Sequence, residues 1–416
     1  MTSMSNRVKT ILNSKFISRS KIIFIGSLIS QLITFGTSFV ITAYFTPEDL
    51  GLLGTLTALI SIVSGTLSFR FELAVIHAER EDAPNVFLQA SLLSAFCSTI
   101  FCLSCFFLPW DFAKKITTYF LPFLLWTWAY FLYFNSKQLP FKFDELQRAS
   151  LGSIWKSIFT LVYQMIGGWI NPTFGWLLSG RVAGDYVGTW IHLKNYFKLM
   201  DWKKSTTGWK KFIQKHSDFI LYMTPHHLCI ALSQNILIFY LEGYGLAIVG
   251  FFALGQRLIA APIEIIGASL FNVTTQRYAE LKHDTQELRR FYSKVVLFSF
   301  SVSAFIGICI WGTVDIFIPL LGAKWLPAIP MVKSLIPYFM NTIFITPTIN
   351  FLRFVDKSRL QLIVEIIELI IKISFLSFVA FSDSNNMVMM FSLLAFGLGI
   401  LKTALVFRLI PKVEVK

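Results

Sequence analysis

Charge is scarce in this sequence. Asp, Glu, Lys and Arg make up only 14% of its 416 residues, too few to cover a water-soluble surface of that size. Cysteine is scarce too, and the five present, Cys97, Cys102, Cys105, Cys229 and Cys309, all fall in apolar runs. They have no metal-ligand histidine spacing and no pairing in extracytoplasmic loops, so they read as small core or lipid-facing residues. His226 and His227 are adjacent, their rings leave a helix on different faces, and they cannot form an i, i+4 metal pair. No Walker A loop, Gly-x-Ser-x-Gly elbow or His-Glu-x-x-His occurs, so ATP hydrolysis and hydrolase chemistry have no sequence basis. No cofactor, no metal and no catalytic residue are expected.

Apolar residues are abundant: 55% of the chain, with a mean hydropathy of +0.63. Runs of 18 or more recur along its length, each long enough for a helix to cross about 30 Å of hydrocarbon with its own backbone hydrogen bonds satisfied. The net charge of +14 does not signal nucleic acid, because the basic residues are scattered among short loops rather than gathered with stacking aromatics on one module. The expected fold is all-α, a polytopic membrane protein of about twelve transmembrane helices in two pseudo-symmetric six-helix bundles. The spans are placed near 22–45, 50–69, 86–108, 118–139, 149–170, 173–192, 218–241, 244–268, 293–318, 329–352, 359–381 and 386–408. The first is read as a retained span rather than a signal peptide, since it has no small-residue cleavage site.

The distribution of positive charge gives the expected orientation. Most of the 37 Lys and Arg residues fall on one set of alternating loops, whereas the other set holds Lys114, Lys115 and Lys324. Positive residues are retained on the cytoplasmic side, which predicts both termini in the cytoplasm. The densest cluster, Lys194, Lys198, Lys203, Lys204, Lys210, Lys211 and Lys215 with Trp202 and Trp209, divides the chain into bundles at 1–192 and 218–416 joined by a basic linker at 193–217. Such a linker suits anionic headgroups. Leu50-Gly51-Leu52-Leu53 and Val249-Gly250-Phe251-Phe252 resemble each other at corresponding places in the two halves, as parallel repeats would.

Ionisable residues inside spans cost roughly 2.5–3.5 kcal/mol each at a helix centre on insertion scales, so each needs a partner or a function. Arg181 with Asp185, and Glu368 with Lys372, are spaced to neutralise each other on one helical face. Arg70 and Glu72 are two apart, so their partners are expected on other helices, while Asp315 and Lys402 are expected to snorkel towards a bilayer face. Arg257, Lys156 and Lys333 have no acidic neighbour at i±3 or i±4 within their spans. With Arg70 and Arg181 they are the candidate cations for an anionic headgroup in a cavity between the halves, Arg257 first because its planar fork can hold phosphate bidentately. Glu264, Glu365, Glu368 and Asp185 are the candidate ion-coupling sites. Pro225, Pro262, Pro337 and Pro347 are expected to interrupt spans.

Three stretches carry a family resemblance. They are Tyr44 to Leu52 followed by Phe69-Arg70-Phe71-Glu72-Leu73-Ala74-Val75; Gly250 to Leu258 with Pro262; and the turn Leu321-Gly322-Ala323-Lys324-Trp325. Together they resemble the Wzx-type O-antigen and polysaccharide-repeat flippases of the MOP superfamily. That resemblance implies a MATE-like pair of bundles in the bacterial inner membrane, driven by an H+ or Na+ gradient. It further implies the movement of undecaprenyl-pyrophosphate-linked oligosaccharide from the cytoplasmic to the periplasmic leaflet. Membrane lipid and the polymerase and chain-length proteins of the same pathway are the implied partners. The competing readings are a peptidoglycan-precursor flippase or multidrug/cation antiporter, and a membrane-embedded glycan polymerase or ligase. The antiporter predicts an acid-lined cavity; the enzyme predicts a large outer loop, and no outer turn here exceeds roughly a dozen residues.

Overall fold

A backbone that crosses hydrocarbon must pair its own amides, and this chain does so with helices throughout. The computed structural model describes residues 2–108, 111–201, 209–217, 219–281, 284–354 and 358–410, and no strand occurs among them. The long helices are α1 (Thr2–Tyr44), α2 (Pro47–Leu67), α3 (Ala83–Ser104), α4 (Phe120–Ser136), α5 (Leu146–Ile170) and α6 (Phe174–Leu193), then α7 (Thr224–Glu242), α8 (Leu246–Glu280), α9 (Thr285–Phe317), α10 (Ala328–Phe344), α11 (Ser358–Val379) and α12 (Ser384–Leu409). Each coincides with one expected span. Six of the described helices can cross a membrane by length and composition alone. The protein is a polytopic α-helical membrane protein.

Local chemistry sets the helix ends. Asn171, ahead of Pro172, is driven to extended backbone and stops α5, and Thr173 is extended ahead of α6. The prolines meet expectation in part, since the span expected at 329–352 breaks at Ile345, just ahead of Pro347. Pro225 and Pro347 stand in the first turns of α7 and of the short helix Thr346–Phe354, where a missing N–H is no loss, and Pro337 lies within α10 without ending it. Helix α8 also continues past residue 262, whose side chain lies outside the described residues.

By its contacts the chain forms two units, Met1–Val40 with Leu59–Pro225, and Ile41–Ala58 with His226–Lys416. In the first, small residues let helices approach closely. Gly26 of α1 sits against Ser150 of α5, whose hydroxyl donates to the Ile22 carbonyl at 3.1 Å. Gly180, Gly184 and Gly188 form a stripe on α6, and Gly184 leaves no room for a Cβ beside the Thr160 hydroxyl and the Lys156 carbonyl of α5. At the end of this unit, the short helix Trp209–Lys215 buries Phe212 against Phe71, with ring centroids 5.0 Å apart. His216 packs between Phe212 and Phe219, and only 8% of its surface is exposed.

The second unit collects most of the stretches that carry the resemblance, Tyr44 to Leu52, Gly250 to Leu258 and Leu321 to Trp325, while Phe69 to Val75 falls in the first. Gly51 of α2 lies against the Leu246 carbonyl and Gly250 of α8 against the Pro47 carbonyl, a reciprocal contact between the two repeat-related glycines that would admit no side chain on either. Trp325, fully buried, donates its indole N–H to the Thr42 carbonyl at 3.0 Å and meets Phe251 edge-on. Lys324 donates to the Phe45 carbonyl at 2.8 Å, satisfying the C-terminal end of α1. Burial holds the Lys324 ammonium below its ordinary pKa, against the opposing pull of Asp49.

Candidate membrane-embedded charge sites

Glycine packing between α5 and α6 decides which charges meet in the first unit. With Gly184 against the turn that carries Lys156, the following residue, Asp185, comes within 2.6 Å of the Lys156 ammonium. Asp185 is nearly sealed from solvent, its side chain 2% exposed, while Lys156 keeps 23%. Trp126 of α4 donates its indole N–H to the other Asp185 oxygen at 3.2 Å. The ring of Tyr133, two turns along the same face of α4, lies 4.0 Å from the Lys156 ammonium and is held by a 3.0 Å hydrogen bond between its hydroxyl and Ser153.

This arrangement corrects two expectations. Lys156 is not a lone cation, and Asp185 does not serve Arg181 alone, because the close α5 and α6 contact delivers an ammonium from the neighbouring helix as its ion-pair partner. Arg181 remains near enough to feel the Asp185 charge, yet its Nε is buried with no hydrogen-bond partner among the described residues. Two cations thus share one carboxylate. Trp126 and Tyr133 were not singled out from the sequence; their i, i+7 spacing on one face of α4 was the available signal.

The second unit holds a different cluster. Glu365, Glu368 and Lys372 fall at i, i+3 and i+7 on α11 and face Lys402 of α12. Lys402 lies 2.7 Å from Glu365 and 3.0 Å from Glu368, and Lys372 lies 2.7 Å from Glu368. Lys372 also donates to Ser233 of α7 at 2.8 Å. The predicted Glu368 and Lys372 pair is present. Lys402 does not snorkel: only 6% exposed, it is held inward by two carboxylates.

The remaining candidates are placed one by one. Arg70 and Glu72 pair with each other at 3.1 Å, contrary to expectation, because the chain between α2 and the short helix Glu72–His77 is not helical. Phe69 and Arg70 take positive φ, 48° and 57°, which turns the guanidinium back over the carboxylate. Burial raises the Glu72 pKa above its ordinary value in spite of Arg70. Lys333 is likewise paired, 2.7 Å from Asp315. Asp315, half-exposed, therefore has a partner rather than water alone. Arg257 is half-buried on α8 and is itself engaged with neighbouring groups. Glu264 falls on α8, but its side chain lies outside the described residues. No cluster of three or more His, Cys, Asp or Glu able to hold a metal ion occurs among the described residues.

A family model described as polysaccharide biosynthesis protein matches residues 40–330, which include the Gly51 and Gly250 contact and the Lys156, Arg181 and Asp185 group. The chain belongs to that family. The polysaccharide biosynthesis protein shares its fold with solved transporters of low sequence identity. An inward-facing multidrug resistance MATE-family transporter of the MOP superfamily superposes with a TM-score of 0.75 at 14% identity, over 95% of this chain and 99% of that one. The lipid II flippase MurJ, in an inward closed conformation, gives 0.70 at 12%, over 94% and 89%. An outward-facing MATE-family transporter gives 0.62 at 14%, over 96% of both. No curated protein matches this family member by sequence.

Proposed function

We propose that this protein is a flippase that moves undecaprenyl-pyrophosphate-linked oligosaccharide, an O-antigen, capsule or exopolysaccharide repeat unit, from the cytoplasmic to the periplasmic leaflet of the bacterial inner membrane. The observation that carries the reading is the surplus of positive charge in the first unit, where Lys156 and Arg181 share the single carboxylate of Asp185. A buried surplus cation is costly and persists where an anion visits. A guanidinium can take a pyrophosphate oxygen pair in its fork, while the ammonium, still 23% exposed, adds a second point charge. Arg257, Arg70 and Lys333 are proposed as further contacts along the path of the headgroup. The polyprenyl tail stays in lipid, and the transfer needs no nucleotide.

For the driving force, the second unit supports protons over Na+. Glu365 and Glu368 already have ammonium partners within 3.0 Å. A metal cation would have to displace Lys402 or Lys372, whereas a proton can neutralise a carboxylate in place. Asp185 and Glu264 are the other proposed coupling groups. A multidrug cation antiporter fits less well, since the surplus charge in the first unit has the sign that repels such cargo.

Export of surface glycan in a strain that depends on this protein tests the reading. Arg181→Ala and Arg257→Ala are each expected to abolish export at unchanged membrane levels, with Arg181→Lys and Arg257→Lys restoring only part. Normal export by both alanine variants would remove the anionic headgroup from the proposal.

A further inference from the structure

The Lys156 ammonium has two partners of different kinds. One is charged, the Asp185 carboxylate of α6, and the other is the Tyr133 ring of α4, whose centre lies 4.0 Å from Nζ. An aromatic face attracts a cation through its quadrupole yet brings no formal charge, and the attraction grows where water is excluded. A second carboxylate in the place of the ring would also hold the ammonium, but Lys156, Arg181 and two carboxylates would then sum to zero. The ring steadies the cation and leaves the positive surplus intact.

The ring is itself fixed by contacts to both helices that carry the ion pair. On α5, the Ser153 hydroxyl, one turn before Lys156, shares a 3.0 Å hydrogen bond with the Tyr133 hydroxyl. On α6, Gly188 stands against the ring edge and leaves no room there for a Cβ. One turn further along α6, the His192 imidazole stacks with the ring, centroids 5.3 Å apart and planes 29° from parallel. His192 is fully buried, its Nδ1 3.0 Å from the Ser136 hydroxyl, and Gly152 of α5 makes the space that it fills. Bulk alone would need none of this. A ring tied at its hydroxyl, its edge and its stacking partner keeps one orientation towards the ammonium.

We infer that Tyr133 is a positioning residue for the anionic headgroup, its π face holding the Lys156 ammonium in place for the pyrophosphate. The inference rests on the flippase reading above, and Tyr133 acts through Lys156 rather than on the cargo itself. With 23% of its side chain exposed, Lys156 can turn an N–H that neither the carboxylate nor the ring occupies to a phosphate oxygen. A lysine carries its charge on a flexible stem, and fixing that stem before the anion arrives lowers the ordering cost of binding. Weakening the ring's hold restores that freedom. The loss then falls on recognition of the charged headgroup and leaves recognition of the polyprenyl tail as it was.

Phenylalanine carrying no, one, two or three ring fluorines, placed at position 133 of the full-length protein by stop-codon suppression, tests this. Each fluorine weakens the π face while hardly changing the size of the ring. Binding of undecaprenyl pyrophosphate is measured in lipid nanodiscs, with undecaprenol as the uncharged control. From Tyr133→Phe onward, affinity for the pyrophosphate is expected to fall about twofold with each fluorine, about eightfold over the series, while undecaprenol binding stays level. Tyr133→Leu is expected to lose about tenfold or more; should it fail to fold, the fluorinated series still decides. A flat series beside intact wild-type binding would overturn this inference alone. Failure of wild type to prefer the pyrophosphate over undecaprenol would overturn the headgroup reading and this inference with it.

Discussion

Asp185 shows how much one residue can depend on its partner. Its carboxylate is sealed from solvent, with the Lys156 ammonium against one oxygen and the Trp126 indole N–H against the other. Lys156→Ala leaves a buried charge without its ion-pair partner and is expected to cost about 3–5 kcal/mol. The double variant Lys156→Met with Asp185→Leu removes both charges and is expected to recover most of that loss in a thermal melt while failing to export glycan. A double variant as unstable as the single one would show that the ion pair is not the source of the loss. This pair was not legible in the sequence, because its members stand on different helices and meet through Gly184. The Glu368 and Lys372 pair was legible, because four residues along one helix is a contact that α-helical geometry guarantees. Arg70 and Glu72 were misread for the complementary reason: two apart is out of reach only if the backbone is helical, and here it is not.

At the scale of elements, helix identity was legible from apolar length and helix contact was not. The twelve spans follow from where water-averse runs begin and end, whereas close approach depends on which small residues face each other. The reciprocal seating of Gly51 and Gly250 makes a clear prediction. Gly51→Leu or Gly250→Leu is expected to prevent stable folding, measured as loss of the monodisperse peak in detergent. Gly36→Ala, in a helix interior with open space around it, should be neutral or stabilise by about 0.5–1 kcal/mol. The linker helix Trp209–Lys215 carries a pH dependence. Burial lowers the pKa of His216, and the neighbouring charges of Lys215 and His77 lower it further. The neutral ring is therefore the form that docks among Phe71, Phe212 and Phe219. Docking is complete above the ordinary histidine pKa near 6.5 and is lost as pH falls through the depressed value. Limited trypsin cleavage at Lys215 should accelerate in wild type as pH falls through that depressed value. It should stay flat in His216→Phe, and an equal acceleration in that variant would exclude the imidazole as the titrating group.

For the whole molecule, the uneven placement of Lys and Arg predicts that both termini face the cytoplasm. A fluorescent protein fused to the C-terminus should fluoresce, and alkaline phosphatase fused there should stay inactive; active phosphatase would reverse the orientation. Both charge clusters also have an electrical consequence. The Glu365, Glu368, Lys372 and Lys402 group sums to zero when fully ionised, so the transmembrane voltage does no net work on it if it shifts along the bilayer normal. The Lys156, Arg181 and Asp185 group sums to one positive charge, and moving that across the full field is worth about 2.3 kcal/mol per 100 mV. A voltmeter would therefore see the first unit and be blind to the second, until a proton lands on one of the glutamates.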